Sequence, residues 1–131
     1  MTPHAIFERI RSRWLAGYPT FDAALLTEDI TLETPFSNHS LTGRDRVLAY
    51  ITAGHAAIPF RLTACHTRAI HETSNPGTII IEYELSGAMT ATGATATAPF
   101  VVVLTTRDGK VAGWREYQPD TIAAAMQGKL P

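Results

Sequence analysis

The chain has 131 residues, 45% of them hydrophobic, with a formal charge of −1 and a pI near 6.5. That length sustains one domain with a real core, taken here as residues 1–131, and is too short for two. The near-neutral balance supplies no basic surface for nucleic acid or acidic membrane, so neither is an expected partner.

Cys65 is the single cysteine, which rules out an intrachain disulfide and any multi-cysteine metal site. It fits a reducing compartment, and a cytoplasmic location is expected. "MTPHAIFERIRSRW" contains no apolar leader core, and the longest apolar run, "PFVVVL", is far shorter than a membrane span.

Thr2 and Pro3 read as an N-cap and first helical position, with Ile6, Phe7, Ile10 and Trp14 recurring at helical spacing until Gly17. Thr20 reads as the cap of a second, short helix carrying Phe21, Ala24 and Leu25, after which "DITLETPF" alternates as a strand. Thr42 and Asp45 match a capping box before "GRDRVLAYITAGH", where Val47, Leu48, Ile51 and Gly54 form the apolar side of a third helix. From Pro59 the character changes. "FRLTACHTRAIHE", "GTIIIEYELSGAMTATG", "TATAPFVVVLTTR" and "KVAGWREYQ" are four strand-like runs, separated by turn-formers of which Asp108-Gly109 is the strongest hairpin signal. The alternating threonines between Ala88 and Ala98 suit paired strands. Asp120 or Thr121 then caps a short last helix, "IAAAMQ", that Gly128 ends. Helices followed by a continuous meander predict an α+β domain, with three N-terminal helices packed on a strongly curved, mainly antiparallel sheet.

The pieces "LLTEDITLETPF", "LTGRDRVLAYI", "IIIEYELSG" and "VVLTTRDGKVAGWREY", in that order, resemble the SnoaL-like, NTF2-like superfamily, a cone-shaped fold shared with ketosteroid isomerase. "HETSNPG", "EYELSG" and "WREY" most resemble its phenazine-biosynthesis A/B-like branch. The resemblance implies a helix-covered cavity on the concave side of the sheet and a homodimer through the convex side. It also places Trp114, Glu116 and Gln118 in the pocket register of the last strand, with Arg115 and Tyr117 outside. The same parity carries Ile79, Ile81, Tyr83, Phe100, Val102 and Leu104 inward. Ile80, Glu82, Glu84, Val101 and Val103 then lie outside, where Arg115 would pair with Glu82 or Glu84. On the strand after the third helix, Leu62, Ala64 and His66 are expected inside unless a bulge reverses them.

Ketosteroid isomerase chemistry needs a carboxylate base, a Tyr and a protonated Asp. The alignment of motifs puts Thr34, Ile10 and Val102 at those places, so that machinery is not expected. In the phenazine A/B-like branch the glutamate of the "RE(F/Y)" motif is the pocket acid/base, and it matches Glu116. The residues that follow depart from the branch, since Gln118 and Pro119 stand where it has an aromatic or Met and then Asn.

A carboxyl in an apolar pocket has its pKa raised from about 4.3 toward neutrality, which suits proton transfer near pH 7. Glu116 is therefore the expected catalytic residue, with His66 as relay or orienting partner. Trp114, Gln118, Tyr83, Tyr50, Ile81, Val102 and Phe36 are expected to contact substrate. His55 reads as a charge at a helix C-terminus, and Asn38 and His39 as a loop at the pocket mouth. The histidines show no metal-ligand spacing, so no metal and no cofactor are expected. The ligand is expected to be small and hydrophobic or aromatic. Two functions fit: cofactor-independent isomerisation, cyclisation or condensation of a ring-bearing carbonyl compound, or non-catalytic ligand binding or subunit assembly on the same fold.

Overall fold

Thr2 Oγ1 accepts a hydrogen bond from the Ala5 amide at 3.1 Å and Pro3 starts α1 (Pro3–Leu15), so the first helix begins where its capping residues dictate. The chain leaves α1 through Gly17, whose φ of +101° is costly for any side chain but none for glycine. The computed structural model describes residues 1–57 and 59–119. After α1 come β1 (Leu26–Thr34), β2 (His39–Thr42), α2 (Arg44–Ala57), β3 (Phe60–Glu72), β4 (Thr78–Met89), β5 (Thr95–Arg107) and β6 (Lys110–Tyr117). They form one six-stranded sheet in the order β2-β1-β6-β5-β4-β3. β3 to β6 are the expected meander, and β1 joins it in parallel beside β6, pairing Leu32 with Trp114 and Glu33 with Arg115.

The described residues contain two α-helices rather than the three expected before the sheet. The segment read as the second helix is a single 3-10 turn, Ala23–Leu25, capped by Asp22 Oδ1 and not by Thr20. Leu26 onward is already committed to β1, which leaves no length for a second hydrogen-bonded turn. α2 occupies the third helix's place. Its first backbone bond runs from the Val47 amide to the Gly43 carbonyl, so Gly43 and not Thr42 stands at the cap, while Thr42 ends β2. The last helix expected around "IAAAMQ" lies outside the described residues.

Asp108 (φ +54°) and Gly109 (φ +74°) make the β5–β6 hairpin, with Arg107 paired to Lys110. Two consecutive left-handed residues give the loop a twist that matches the strands it joins.

The core lies between the helices and the concave face of the sheet. Ile6, Phe7 and Ile10 of α1 are fully buried against Ile79, Ile81, Tyr83, Val102 and Leu104, the inward parity of β4 and β5. Burying each such side chain contributes about 1.5–3 kcal/mol before the entropy of ordering it is subtracted. On the outer face Glu82 pairs with His71 at 2.5 Å and Glu84 with Arg68 at 2.7 Å. Arg115 does not pair with either, because β5 separates its strand from β4 whereas β3 lies directly alongside.

Candidate active site

Trp114, Glu116 and Gln118 all line one cavity of about 320 Å³ on the concave side of the sheet. That volume sits at the lower end of the range for small-molecule sites, and the lining is overwhelmingly apolar. Trp14, the Pro19–Phe21 segment, Tyr50 and Ile51 roof it, while Leu32, Thr34, Leu85, Ala98 and Phe100 belong to its sheet side. The rings of Trp14 and Phe21 stand edge-on to Trp114 at 5.9 and 5.0 Å between centroids, which fixes the indole against the wall.

The carboxyl of Glu116 is held through one oxygen. Tyr83 Oη donates to Oε1 at 2.7 Å, and Trp114 Nε1 donates to the same oxygen at a longer 3.4 Å. Among the described residues Oε2 has no hydrogen-bond partner. Glu116 keeps a partial exposure on the cavity side, yet protein encloses it elsewhere, and burial pushes its pKa up. The two donors oppose that rise without cancelling it. Tyr83, 0% exposed, is driven well above its ordinary range by burial first and then by the neighbouring carboxylate. Burial also raises the Tyr50 phenol, with the charge of Glu116 adding to it. Both phenols thus keep their protons and act as hydrogen-bond donors at neutral pH.

Gln118 is 3% exposed and its Nε2 has no partner among the described residues. Thr34 is buried at the cavity wall, with its hydroxyl and that of Ser37 2.7 Å apart. Thr20 Oγ1 and His55 Nδ1 are further buried polar atoms on lining residues without partners among the described ones.

The expected site residues separate into three groups. Glu116, Trp114, Gln118 and Tyr50 line the cavity. Tyr83, Ile81 and Val102 are fully buried behind it, where Tyr83 supports Glu116 and the two aliphatic side chains pack the floor. His66 and Phe36 are elsewhere. A register shift between Leu62 and Ala64 inserts Thr63 as an extra residue, so Leu62 reaches the cavity, Cys65 takes the inward place at 2% exposed, and Ala64 and His66 turn out to solvent. Phe36 is 61% exposed and packs edge-on against Tyr117 on the outer face, 5.5 Å between centroids. His39 is exposed against the ring of Tyr50 at 5.4 Å, and His55 lines the cavity beside Phe60.

Sequence reasoning did not select Thr34, Leu85, His55 or the Pro19–Phe21 segment as lining. For Leu85 the signal was present, since it continues the parity of Ile81 and Tyr83. For Pro19–Phe21 no periodicity exists to be read. Among the described residues no group of three or more His, Cys, Asp or Glu side chains converges in a way that could hold a metal, and no helix is long and apolar enough to cross a membrane.

Comparison with solved structures returns the same architecture. The chain is 18% identical to a candidate isomerase from Bacillus subtilis, with a TM-score of 0.83 over 98% of this chain and 94% of the other. It is 18% identical to a Catenulispora acidiphila DSM 44928 protein with a ketosteroid isomerase-like fold, in complex with trimethylamine, at a TM-score of 0.74 over 100% and 96%. A candidate SnoaL-like polyketide cyclase from Jannaschia Sp. CCS1 gives 16% and 0.72 over 98% and 92%. At these identities the likeness is one of fold. No curated protein matches the sequence. The SnoaL-like domain model matches residues 7–114, from the middle of α1 to the tryptophan beside Glu116, and the chain belongs to the SnoaL-like domain family.

Proposed function

We propose that the protein is a cofactor-independent acid/base enzyme that isomerises, cyclises or condenses a ring-bearing carbonyl compound, with Glu116 as the proton-transfer group. The single observation that carries this reading is the asymmetric carboxyl. Oε1 is anchored by Tyr83 at 2.7 Å, while Oε2 is without a partner among the described residues on a side chain that lines an apolar cavity. In such surroundings the carboxylate is a stronger base than in water. Oε2 takes a proton from the carbon next to the carbonyl, the electron pair of that C–H bond moves into an enolate, and Tyr50 donates a hydrogen bond to the carbonyl oxygen as charge develops. The proton returns from Oε2 to another carbon in an isomerisation. In a ring closure the enolate carbon bonds to a second carbonyl, whose oxygen takes the proton.

The low-identity neighbours described as candidate isomerases and polyketide cyclases support this class of reaction. "WREY" supports a place near the phenazine-biosynthesis A/B-like branch. A homodimer through the outward faces of β4 to β6 belongs to the same reading.

The test needs no knowledge of the natural substrate. Exchange of the α-protons of cyclic and aryl ketones into D₂O, followed by ¹H NMR, is expected to be catalysed by the wild type and slowed about 10²-fold or more by Glu116→Gln. Equal exchange by both proteins removes Glu116 from the chemistry. Ketone binding without exchange in either protein replaces catalysis with simple binding.

A further inference from the structure

We infer that the cavity has a second compartment beyond the Glu116 end, opened by the absence of a side chain at Gly54, and that it receives the extended apolar body of a carbonyl-bearing ligand. The inference rests on the proposed role of Glu116 for which end of the ligand carries the carbonyl.

Gly54 lies inside α2, where glycine is a poor helix residue. Glycine is usually retained in such a place for one of two reasons, and neither holds here. Its φ is not in the left-handed region, and a Cβ built on it would meet no heavy atom within 4 Å outside its own helix among the described residues. What the position adjoins is the cavity, which Gly54 lines. A methyl or larger group there would project into that space.

The direction of the space follows from register. Tyr50 is close enough to Glu116 to feel its charge, and Gly54 is one helical turn further on. The next residue, His55, packs against Phe60, which pairs with Met89 at the far end of β4. On β5, Glu116 is registered with Val102, and Ala98 lies four residues along on the same face. Gly87, paired with Ala96, continues that face. The cavity therefore runs from Glu116 and Tyr50 to Gly54 and Gly87, about 20 Å measured along the curved strand from Val102 to Ala96, and Ala96 at that end is exposed, so the space opens outward. Gln118 stands between the two ends, 3% exposed, with Nε2 unpartnered among the described residues, as a donor waiting for a ligand oxygen.

Acetophenone and 4-acetylbiphenyl, the same ketone lengthened by one phenyl ring, separate the compartments. Trp14 and Trp114, the chain's two tryptophans, both line the cavity and report binding by fluorescence. The wild type is expected to bind the biphenyl ketone at least 10-fold tighter. Gly54→Leu is expected to cut that preference to less than 3-fold while leaving acetophenone within about 2-fold. Gly54→Ala is expected to raise Tm by about 2–5 °C. Equal affinity of the wild type for the two ketones, no binding of either, or an unchanged preference in Gly54→Leu overturns the second compartment. A fall in Tm for Gly54→Ala also overturns it, because the glycine would then be required by the fold. Glu116→Gln is expected to keep the preference for the biphenyl ketone while slowing the exchange of the acetyl protons of both ketones into D₂O. If exchange is not slowed while Gly54→Leu still abolishes the preference, the role given to Glu116 fails and the compartment stands.

Discussion

Tyr83 and Glu116 are hydrogen-bonded although a whole strand separates them: Tyr83 sits on β4, Glu116 on β6, and register pairs them with Phe100 and Val102 of the intervening β5. The concave curvature of the sheet draws a phenol and a carboxyl on next-but-one strands toward each other, and here they meet at 2.7 Å. The curvature that makes the hollow also positions its acid.

Tyr83→Phe removes the principal donor to Oε1 and leaves a ring of nearly the same shape. Because that hydrogen bond lowers the carboxyl pKa against the effect of burial, the pKa of Glu116 is expected to rise further in the variant. NMR titration of the Glu116 side-chain carbon reads the shift directly. Stability falls by about 1–3 kcal/mol, as for loss of a hydrogen bond to a charged group. An unchanged or lower pKa would show that Tyr83 does not govern the carboxyl.

Glu116 gives stability a definite dependence on pH. Its folded-state pKa lies above the ordinary value of 4.5, so the folded protein holds this proton more tightly than the unfolded chain does. Its contribution is full below about pH 4.5 and is lost as pH rises through the raised folded value. Glu116→Gln cannot titrate. The Tm of the variant relative to wild type is therefore expected to increase from pH 4 to pH 8, as calorimetry at successive pH values would show. A constant difference across that range contradicts the raised pKa.

The strands were legible because period-two alternation ended at recognisable turns: β3 and β5 have the bounds the residues predicted, and spacing put Trp114, Glu116 and Gln118 on one face while the family resemblance supplied which face that was. The side taken by His66 was not legible, since one extra residue at Thr63 reverses the parity from Ala64 to Thr67, until a second shift before Ala69 restores it, and no glycine or proline announces either. The second helix failed for a different reason. Phe21, Ala24 and Leu25 have helical spacing, but strand pairing from Leu26 claims the residues that a second turn would need. β2 was hidden because Thr42, which looks like a helix cap, is its last residue. The width of the cavity was written in small residues, Gly87 and Ala98 among them, which hydrophobic patterning counts merely as neutral.

Gly109→Ala tests the hairpin that delivers β6. At φ +74° an alanine Cβ crowds the backbone, and the cost is about 1–2 kcal/mol. Asp108→Asn, a residue equally suited to its φ of +54°, is expected to be near neutral. Chemical denaturation of both variants makes the comparison, and equal midpoints would contradict the left-handed turn.

The proposed homodimer is tested on the outer face of the sheet. Val101 lies beside Tyr117 in register, half-buried on that face. Val101→Glu is expected to convert dimers to monomers in sedimentation velocity while leaving the Trp14 and Trp114 emission unchanged. Monomers already in the wild type would refute the dimer.

The parallel seam between β1 and β6 joins segments about eighty residues apart in the chain. A nascent chain cannot close it until Lys110–Tyr117 has left the ribosome, so Leu32 and its neighbours must wait unpartnered on one side while the rest of the protein is made. Long loop closure of this kind slows folding. The strand that bears the acid is thus also the keystone, and translation past it is the moment at which the sheet becomes continuous.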